Sequence, residues 1–392
     1  MHFDIAIIGG GMVGGSLAAS LKNSDLRIIL IDAMPQHVND DARLIALNET
    51  SIHFFKRLGL WPDLESYAAP IEQIHVSHQG HFAMTRIDCK EFKIPALGYV
   101  IPAKYINAAL YSTLSNANNI TLVQAAKLET FTQSEAGVSF SIIKESVIQN
   151  FQADILIGAD GSLSTVRDIL NISTEKLDYQ QSALVTSTVL QRNHMNIAYE
   201  RFLKDGAIAM LPLQAMKAAT IWTAPNEKIA SLMNLPDDDF LKKLQENFGY
   251  RLGRFVSTEK RVTYPLQLLR AKQCIKENVL LIGNAAHTFH PIASQGLNLA
   301  LYEVAHLEKF FLSSAKKISL RTLQINRSQE RFSKNLSHHL TWIFSRDQFI
   351  LNTVRQIAMV GLDILPGLKK RFARRAMGKA GNSNYLSHNT KD

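Results

Sequence analysis

The stretch Phe3-Asp4-Ile5-Ala6-Ile7-Ile8-Gly9-Gly10-Gly11-Met12-Val13-Gly14-Gly15 decides the fold. Phe3–Ile8 is short, apolar and rich in Ile, the pattern of a buried strand. Gly9–Gly15 reads as a tight turn, Ser16–Leu21 as a helix, and Ile28–Ile31 as a second buried strand. This is a βαβ unit, and continuously apolar strands belong to a parallel sheet covered on both faces. Gly9, Gly11 and Gly14 match G-x-G-x-x-G: the first makes the turn, the second admits a pyrophosphate to the backbone, and the third lets helix and strand pack closely. The helix N-terminus offers free N–H groups and partial positive charge to the phosphates. Asp32 ends the second strand eighteen residues beyond Gly14, where a carboxylate holds ribose hydroxyls. The spacing predicts a bound dinucleotide without separating NAD from FAD.

The same texture recurs at Ala153–Ile157 and Val279–Ile282, further candidates for that sheet. Between them, Ala183–Leu190, Ala207–Leu213, Ala219–Thr223 and Val262–Leu266 read as antiparallel strands and Asp237–Phe248 as an amphipathic helix. A second, sheet-based unit is therefore inserted into the first. From about Leu297 the pattern is helical, with Ile350, Val354, Ile357, Gly361 and Ile364 on one stripe. The expected organisation is a dinucleotide-binding domain over residues 1–175 and 268–345. A substrate-domain sheet would occupy 176–267 with part of 70–100, and a helix with a basic tail 346–392.

A chain of 392 residues supports a sizeable core. Its 46 % hydrophobic and 20 % charged residues exclude a disordered chain or a fibre. No run reaches the roughly 18 apolar residues of a membrane-spanning helix. Asp4 and the glycines that follow break up any signal-peptide core. Cys89 and Cys274 supply neither a metal set nor a disulfide framework; they read as packing residues of a cytoplasmic protein. Of the net charge of +9, six positive charges cluster at Lys369, Lys370, Arg371, Arg374, Arg375 and Lys379. A nucleic-acid partner would instead call for basic residues spread over a face with interleaved aromatics. An anionic membrane surface and a plain solvated tail both stay open.

Two later segments resolve the cofactor by resemblance. Asp154-Ile155-Leu156-Ile157-Gly158-Ala159-Asp160-Gly161, followed by Ser164 and Arg167, resembles a motif of FAD-dependent aromatic hydroxylases. Gly283-Asn284-Ala285-Ala286-His287-Thr288, through Pro291, Gln295, Gly296, Leu297 and Asn298, resembles their second FAD motif. Arg43-Leu44-Ile45-Ala46-Leu47, Ile74-His75-Val76-Ser77 and Tyr199-Glu200-Arg201-Phe202 ahead of Ala209-Met210-Leu211-Pro212 are similar to the ubiquinone-biosynthesis hydroxylases within that superfamily. Phe248-Gly249-Tyr250-Arg251-Leu252-Gly253 and Tyr264-Pro265-Leu266 extend the likeness.

The resemblance implies a p-hydroxybenzoate-hydroxylase-like fold: a Rossmann-like FAD domain, an inserted mixed or antiparallel substrate sheet, and a helical C-terminus. It implies that NADPH or NADH reduces FAD in passing, and that O₂ forms a C4a-hydroperoxyflavin. That species would hydroxylate the ring of a 2-polyprenyl-6-methoxyphenol. The cofactor residues so implied are Gly9, Gly11, Gly14, Asp32, Arg43, Asp160, Gly161, Gly283, Asn284, Gln295, Gly296, Leu297 and Asn298. Arg43 would meet the pyrophosphate, and the N–H groups of 295–298 the flavin's pyrimidine edge. Asn284 stands where most of the superfamily carries Asp, so its bond to the ribityl chain should be weaker by about half. Leu211, Pro212, Tyr264 and Pro291 are expected to wall the phenol pocket. No catalytic side chain is implied, the flavin carrying the chemistry. His287 and His290 show no partner carboxylate in the sequence, and with His75 and His81 no metal-ligand spacing. A membrane surface and other ubiquinone-biosynthesis proteins are the implied partners, and the inner face of the membrane the implied location. Another enzyme of the same fold, such as an epoxidase or prenyl reductase, and a non-catalytic subunit stay open.

Overall fold

The structure, a computed structural model, describes residues 1–35, 41, 43–81, 84–288, 295–313 and 319–323, with Gly367 and Arg374. The stripe over 349–365, Pro291, His290 and nearly all of the basic tail lie outside the described residues. The chain opens with β1 (His2–Ile8), α1 (Met12–Ser20), β2 (Ile28–Asp32), β3 (Leu44–Asn48), α2 (Glu49–Arg57) and α3 (Trp61–Glu65). Then come β4 (Ala69–Ile71), β5 (Gln73–His78), β6 (Met84–Asp88), β7 (Gly98–Pro102), α4 (Ala103–Ser115), β8 (Ile120–Gln124), β9 (Ala126–Ser134), β10 (Gly137–Lys144) and β11 (Val147–Gly158). The middle holds α5 (Thr165–Ile169), β12 (Thr174–Leu190), β13 (Ile197–Leu203), β14 (Gly206–Pro212), β15 (Lys217–Pro225), α6 (Asn226–Asn234) and α7 (Asp237–Phe248). Last are β16 (Phe255–Thr258), β17 (Val262–Ala271), β18 (Ile275–Lys276), β19 (Val279–Leu281), β20 (His287–Thr288) and α8 (Gln295–Ser313).

The first sheet runs β18-β19-β11-β1-β2-β8, with β10 and β9 continuing from β11. β1 pairs in parallel with β2 (Ile5 opposite Ile28) and with β11 (Ile5 opposite Ile155), and β11 in parallel with β19. Ile5, Ile7, Leu17, Leu21, Ile28 and Leu30 are fully buried, as strands covered on both faces require. The carboxyl ends of β1, β11 and β19 lie side by side and lead into Gly9, Ala159–Gly161 and Gly283. In an open α/β sheet that edge is where a ligand sits.

The helix starts at Met12, earlier than the sequence suggests, so Gly14 and Gly15 belong to α1 and not to the turn. Glycine inside a helix costs about 1 kcal/mol relative to alanine. Packing overrides that here, because a Cβ on Gly14 would fall onto the carbonyl oxygen of Gly9.

The second sheet runs β20-β17-β12-β15-β14-β13-β5-β6, with β16 beside β12. It is antiparallel except where β13 lies parallel to β5. One face buries Leu184, Ile208, Met210 and Trp222 against Phe240, Leu244 and Phe248 of α7. The other face carries Ala198, Ile74 and Leu211 into a cluster with Leu44, Ala46 and Val100 of a small sheet, β3-β7-β4. This small sheet begins directly after Arg43, so the second sheet and the strand following Arg43 share one interior.

Candidate functional site

The glycine turn is forced by close approach. Gly9 has φ +104°, and a Cβ there would strike the carbonyl of Ala159. Gly283, at φ +55°, sits over α1, with a Cβ position 3.1 Å from both γ carbons of Val13. The three motifs therefore converge on the first turn of α1. Gly11 is the N-cap of that helix; no side chain caps it and no acid occupies its first turn. A Cβ on Gly11 would meet nothing within 4 Å. The unpaired N–H groups of the first turn thus open onto free space, the arrangement that receives a phosphate.

Asp32 accepts a hydrogen bond from the Met34 N–H at 3.1 Å. Burial raises its pKa, against the pull of the Met34 and Ala33 N–H groups. It also lies against the loop: a Cβ on Gly10 would be 2.6 Å from its Oδ2. The side chain of Asp160 accepts from Ser164 Oγ (2.5 Å), the N-cap of α5, and from the Val166 N–H (3.1 Å) in its first turn. Gly161 follows at φ +86° with open space around it. Buried Arg167 donates to the carbonyls of Ala285 (3.1 Å) and Ser162 (2.9 Å), tying the two later motifs together.

Asn284 is exposed. His287 is buried and its Nε2 lies 2.6 Å from Oε1 of Glu303 on α8. This corrects the sequence reading, which finds no carboxylate for it: Glu303 is sixteen residues downstream, and only the fold of α8 brings it back. The pair lies within the interior packing and is a structural tie. Gly296 and Leu297 stand in the first turn of α8 beside Gln295. Asn298 is buried, its Oδ1 accepting from the Asn48 N–H (2.9 Å) and Ser51 Oγ (2.7 Å), its Nδ2 donating to the Ala46 carbonyl (2.9 Å). Its side chain thus anchors α8 to β3 and α2.

Arg43 closes its fork on Asp41, Nε to Oδ1 at 2.7 Å and Nη2 to Oδ2 at 2.6 Å, and Asn107 holds the same carboxylate. Burial alone would raise Asp41, but these bonds outweigh it and hold the carboxyl below its usual range. The bonds to Asp41 raise Arg43 in turn. A phosphate approaching Arg43 would meet a guanidinium already oriented by this pair.

The expected pocket residues are brought together only in part. Leu211 faces the cluster with Leu44 and Ala46, whereas its neighbour Pro212 points to the opposite face by strand alternation. Tyr264, opposite Ala183, shares the face of Leu211 but lies three strands across and level with Ala207, four residues along β14 from Leu211. Glu200 was given no role by the sequence reading. It lies on the Leu211 face, opposite Ala209, and burial raises its carboxyl to about 7. Its one sequence signal is the alternation Ala198, Glu200, Phe202, which places an acid among buried residues.

A glycine cradle that any Cβ would fill, with a helix N-terminus and a carboxylate on either side, fits the pyrophosphate and ribose of a dinucleotide. The FAD binding domain family profile matches residues 2–317, and the chain belongs to that family, with FAD as its cofactor. Over 387 residues it is 28 % identical to the ubiquinone hydroxylase UbiL of Rhodospirillum rubrum, covering 96 % of this chain and 89 % of that one. It is 27 % identical to the 3-demethoxyubiquinol 3-hydroxylase of Escherichia coli, covering 96 % and 98 %. Among solved structures, p-nitrophenol 4-monooxygenase PnpA from Pseudomonas putida superposes with a TM-score of 0.80 at 14 % identity, covering 96 % and 98 %. The α/β hydroxylase fold is thus the one the sequence motifs imply.

Proposed function

We propose that this chain is an FAD-dependent monooxygenase that hydroxylates the ring of a polyprenylated phenol in ubiquinone biosynthesis, with NAD(P)H and O₂ as co-substrates. The observation that carries the reading is the shared interior: an apolar sheet face, marked by Leu211 and Glu200, closes against the strand that follows Arg43. Similarity to named hydroxylases over nearly the whole chain supports it.

FAD, when bound, supplies hydride acceptance and oxygen activation. The protein supplies the setting. Gly9, Gly11 and Gly14 with Asp32 would hold the adenosine and pyrophosphate; Arg43, Asp160, Gly161, Gly283 and Asn284 would border the flavin side. The N–H groups of Gln295–Asn298 would face developing negative charge at the ring. The apolar face around Leu211 excludes water and orients the phenol.

Among the described residues no helix is long and apolar enough to cross a membrane. A polyprenyl phenol resides in the bilayer, so the proposal includes peripheral binding through the cluster from Lys369 to Lys379. Equal flotation with anionic liposomes of wild type and a variant neutralised at those six positions would exclude it.

The test of function is the absorption spectrum before and after NADPH in air, then product analysis with a 2-polyprenyl-6-methoxyphenol. Flavin bands that bleach and return, with a ring-hydroxylated product, are expected. A colourless protein that takes up no added FAD overturns the reading.

A further inference from the structure

We propose that the Glu200 carboxylate accepts the hydroxyl of the phenol substrate, taking its hydrogen bond and, as the ring takes up oxygen, its proton. The inference rests on the hydroxylase reading above and names the group that recognises the substrate.

Ala198, Glu200 and Phe202 share the face of β13 that looks away from α7. Ala209 on β14 lies directly opposite Glu200 on one side and Val76 on β5 on the other. Ala209 brings only a methyl group beside Glu200, and Leu211 and Ile74 lie two residues along on the same face. Desolvation acts on the Glu200 carboxyl, yet the residue keeps accessible surface, so packing does not seal it.

Among the described residues the Glu200 side chain makes no hydrogen bond and no ion pair, and desolvation is the cause of its raised pKa. A desolvated carboxylate without a protein donor is costly, and most are satisfied. The charged and titratable neighbours do not supply one. Arg201 points to the other face, where it bonds the Asn247 carbonyl. His78, on the same face opposite Phe202, bonds the Gln79 carbonyl. Cys89, in the adjoining cluster, has its thiol pushed up by burial. What this apolar face with its carboxyl calls for is a ligand that is apolar in body and carries one O–H donor. A phenol is such a ligand.

The basicity also matches. A carboxylate at its ordinary value of 4.5 is roughly five and a half units from a phenol of pKa about 10; at about 7 the gap narrows to roughly three. In the step, the phenol O–H bond breaks, its electron pair stays on the ring oxygen, and the proton goes to Glu200. After oxygen has been delivered to the ring carbon, that carbon releases its hydrogen as a proton to solvent. Glu200 returns its own proton to the ring oxygen and is again a carboxylate.

The experiment is calorimetric titration of the FAD-loaded full chain with 2-methoxy-6-methylphenol and with its O-methyl ether, at pH 6 and pH 8.5. Wild type is expected to prefer the phenol by roughly ten- to a hundred-fold, more so at pH 8.5, where Glu200 is ionised. Glu200→Leu should bind both compounds alike, and Glu200→Gln should keep part of the preference with no pH dependence. A preference preserved in Glu200→Leu, or an equal loss of both ligands, overturns the proposal. Wild type that hydroxylates the phenol yet binds the ether equally well overturns the Glu200 role alone. Wild type that neither retains FAD nor oxidises NADPH overturns the hydroxylase reading and this inference with it.

Discussion

Arg167 reaches across 118 residues of sequence to the carbonyl of Ala285, donating at 3.1 Å from a buried position. The same guanidinium holds the Ser162 carbonyl at 2.9 Å. One planar side chain thus fixes the loop after β11 against the loop after β19, the two loops proposed to border the flavin. Arg167→Ala leaves both carbonyls without this donor, and a loss of roughly 3 kcal/mol is expected. Lysine brings a point charge in place of the fork, so Arg167→Lys should recover only part of it. Thermal unfolding and bound FAD per chain check this: both should fall together in Arg167→Ala.

Gly14 and Gly11 belong to one motif but answer to different constraints, and substitution separates them. In Gly14→Val the new side chain collides with the Gly9 carbonyl and with Ala159, so α1 and β1 must part. That variant should lose both stability and FAD. Gly11 has φ −66° and a Cβ there meets nothing, so Gly11→Ala should fold with a change of about 1 kcal/mol or less. Its methyl group occupies the approach to the helix N-terminus, so FAD should bind at least about tenfold more weakly. Unfolding of the apoprotein beside FAD titration reads the two effects separately. Normal FAD affinity in Gly11→Ala would remove the pyrophosphate from this position.

The parts of this architecture visible in the sequence are those governed by local pattern. β1 and β2 are continuous apolar runs, the glycines mark close approach, and α7 shows its apolar stripe within the expected bounds Asp237–Phe248. The start of α1 is misjudged because glycine argues against helix until the Gly9 carbonyl is known to lie where a Cβ would be. β12 extends back to Thr174 through Glu175, Lys176 and Asp178, a polar stretch that is a strand only because β17 pairs with it from Ala271 onward. The ties among distant motifs left no trace in local pattern. Asn298 to Ser51 and His287 to Glu303 each depend on chain reversals or helix packing that spacing does not encode. Glu200 stayed hidden for another reason: both faces of β13 are covered, so alternation could not say which one looks into the site.

Asn298 illustrates such a tie with a measurable consequence. Its amide satisfies the Asn48 N–H, the Ser51 hydroxyl and the Ala46 carbonyl at once, while Asn48 itself caps α2 through the Ser51 N–H at 3.0 Å. Asn298→Ala breaks three bonds in a buried setting and should cost about 2 kcal/mol. Asn298→Asp keeps the acceptor but sets a carboxylate oxygen against the Ala46 carbonyl, so it should not restore stability. Because the tie orients the first turn of α8, the extra thermal stability conferred by FAD should also shrink. An unchanged FAD-induced shift in Asn298→Ala would uncouple that turn from the cofactor.

The Glu200 carboxyl makes stability itself a probe of its surroundings. Its pKa is about 7 in the folded chain against an ordinary 4.5, the reverse of a salt-bridged acid. Below about pH 4.5 the group is neutral in both folded and unfolded chains and costs nothing. Between 4.5 and 7 the unfolded chain releases this proton while the folded chain keeps it, so its contribution turns against folding as pH rises. Above about 7 the group is ionised in both states and the full penalty stands, on the order of 3 kcal/mol as an upper bound, since the partial exposure of Glu200 reduces it. Glu200→Gln removes the titration. The stability difference between variant and wild type should therefore grow in the variant's favour from pH 4.5 to pH 7 and stay level beyond. Urea unfolding of both proteins at half-unit steps of pH measures that difference. A flat difference would mean that Glu200 meets water or a donor freely. Addition of a phenol at pH 8 should then reduce the variant's advantage, because the charged acceptor of wild type gains a stronger hydrogen bond than the neutral amide does.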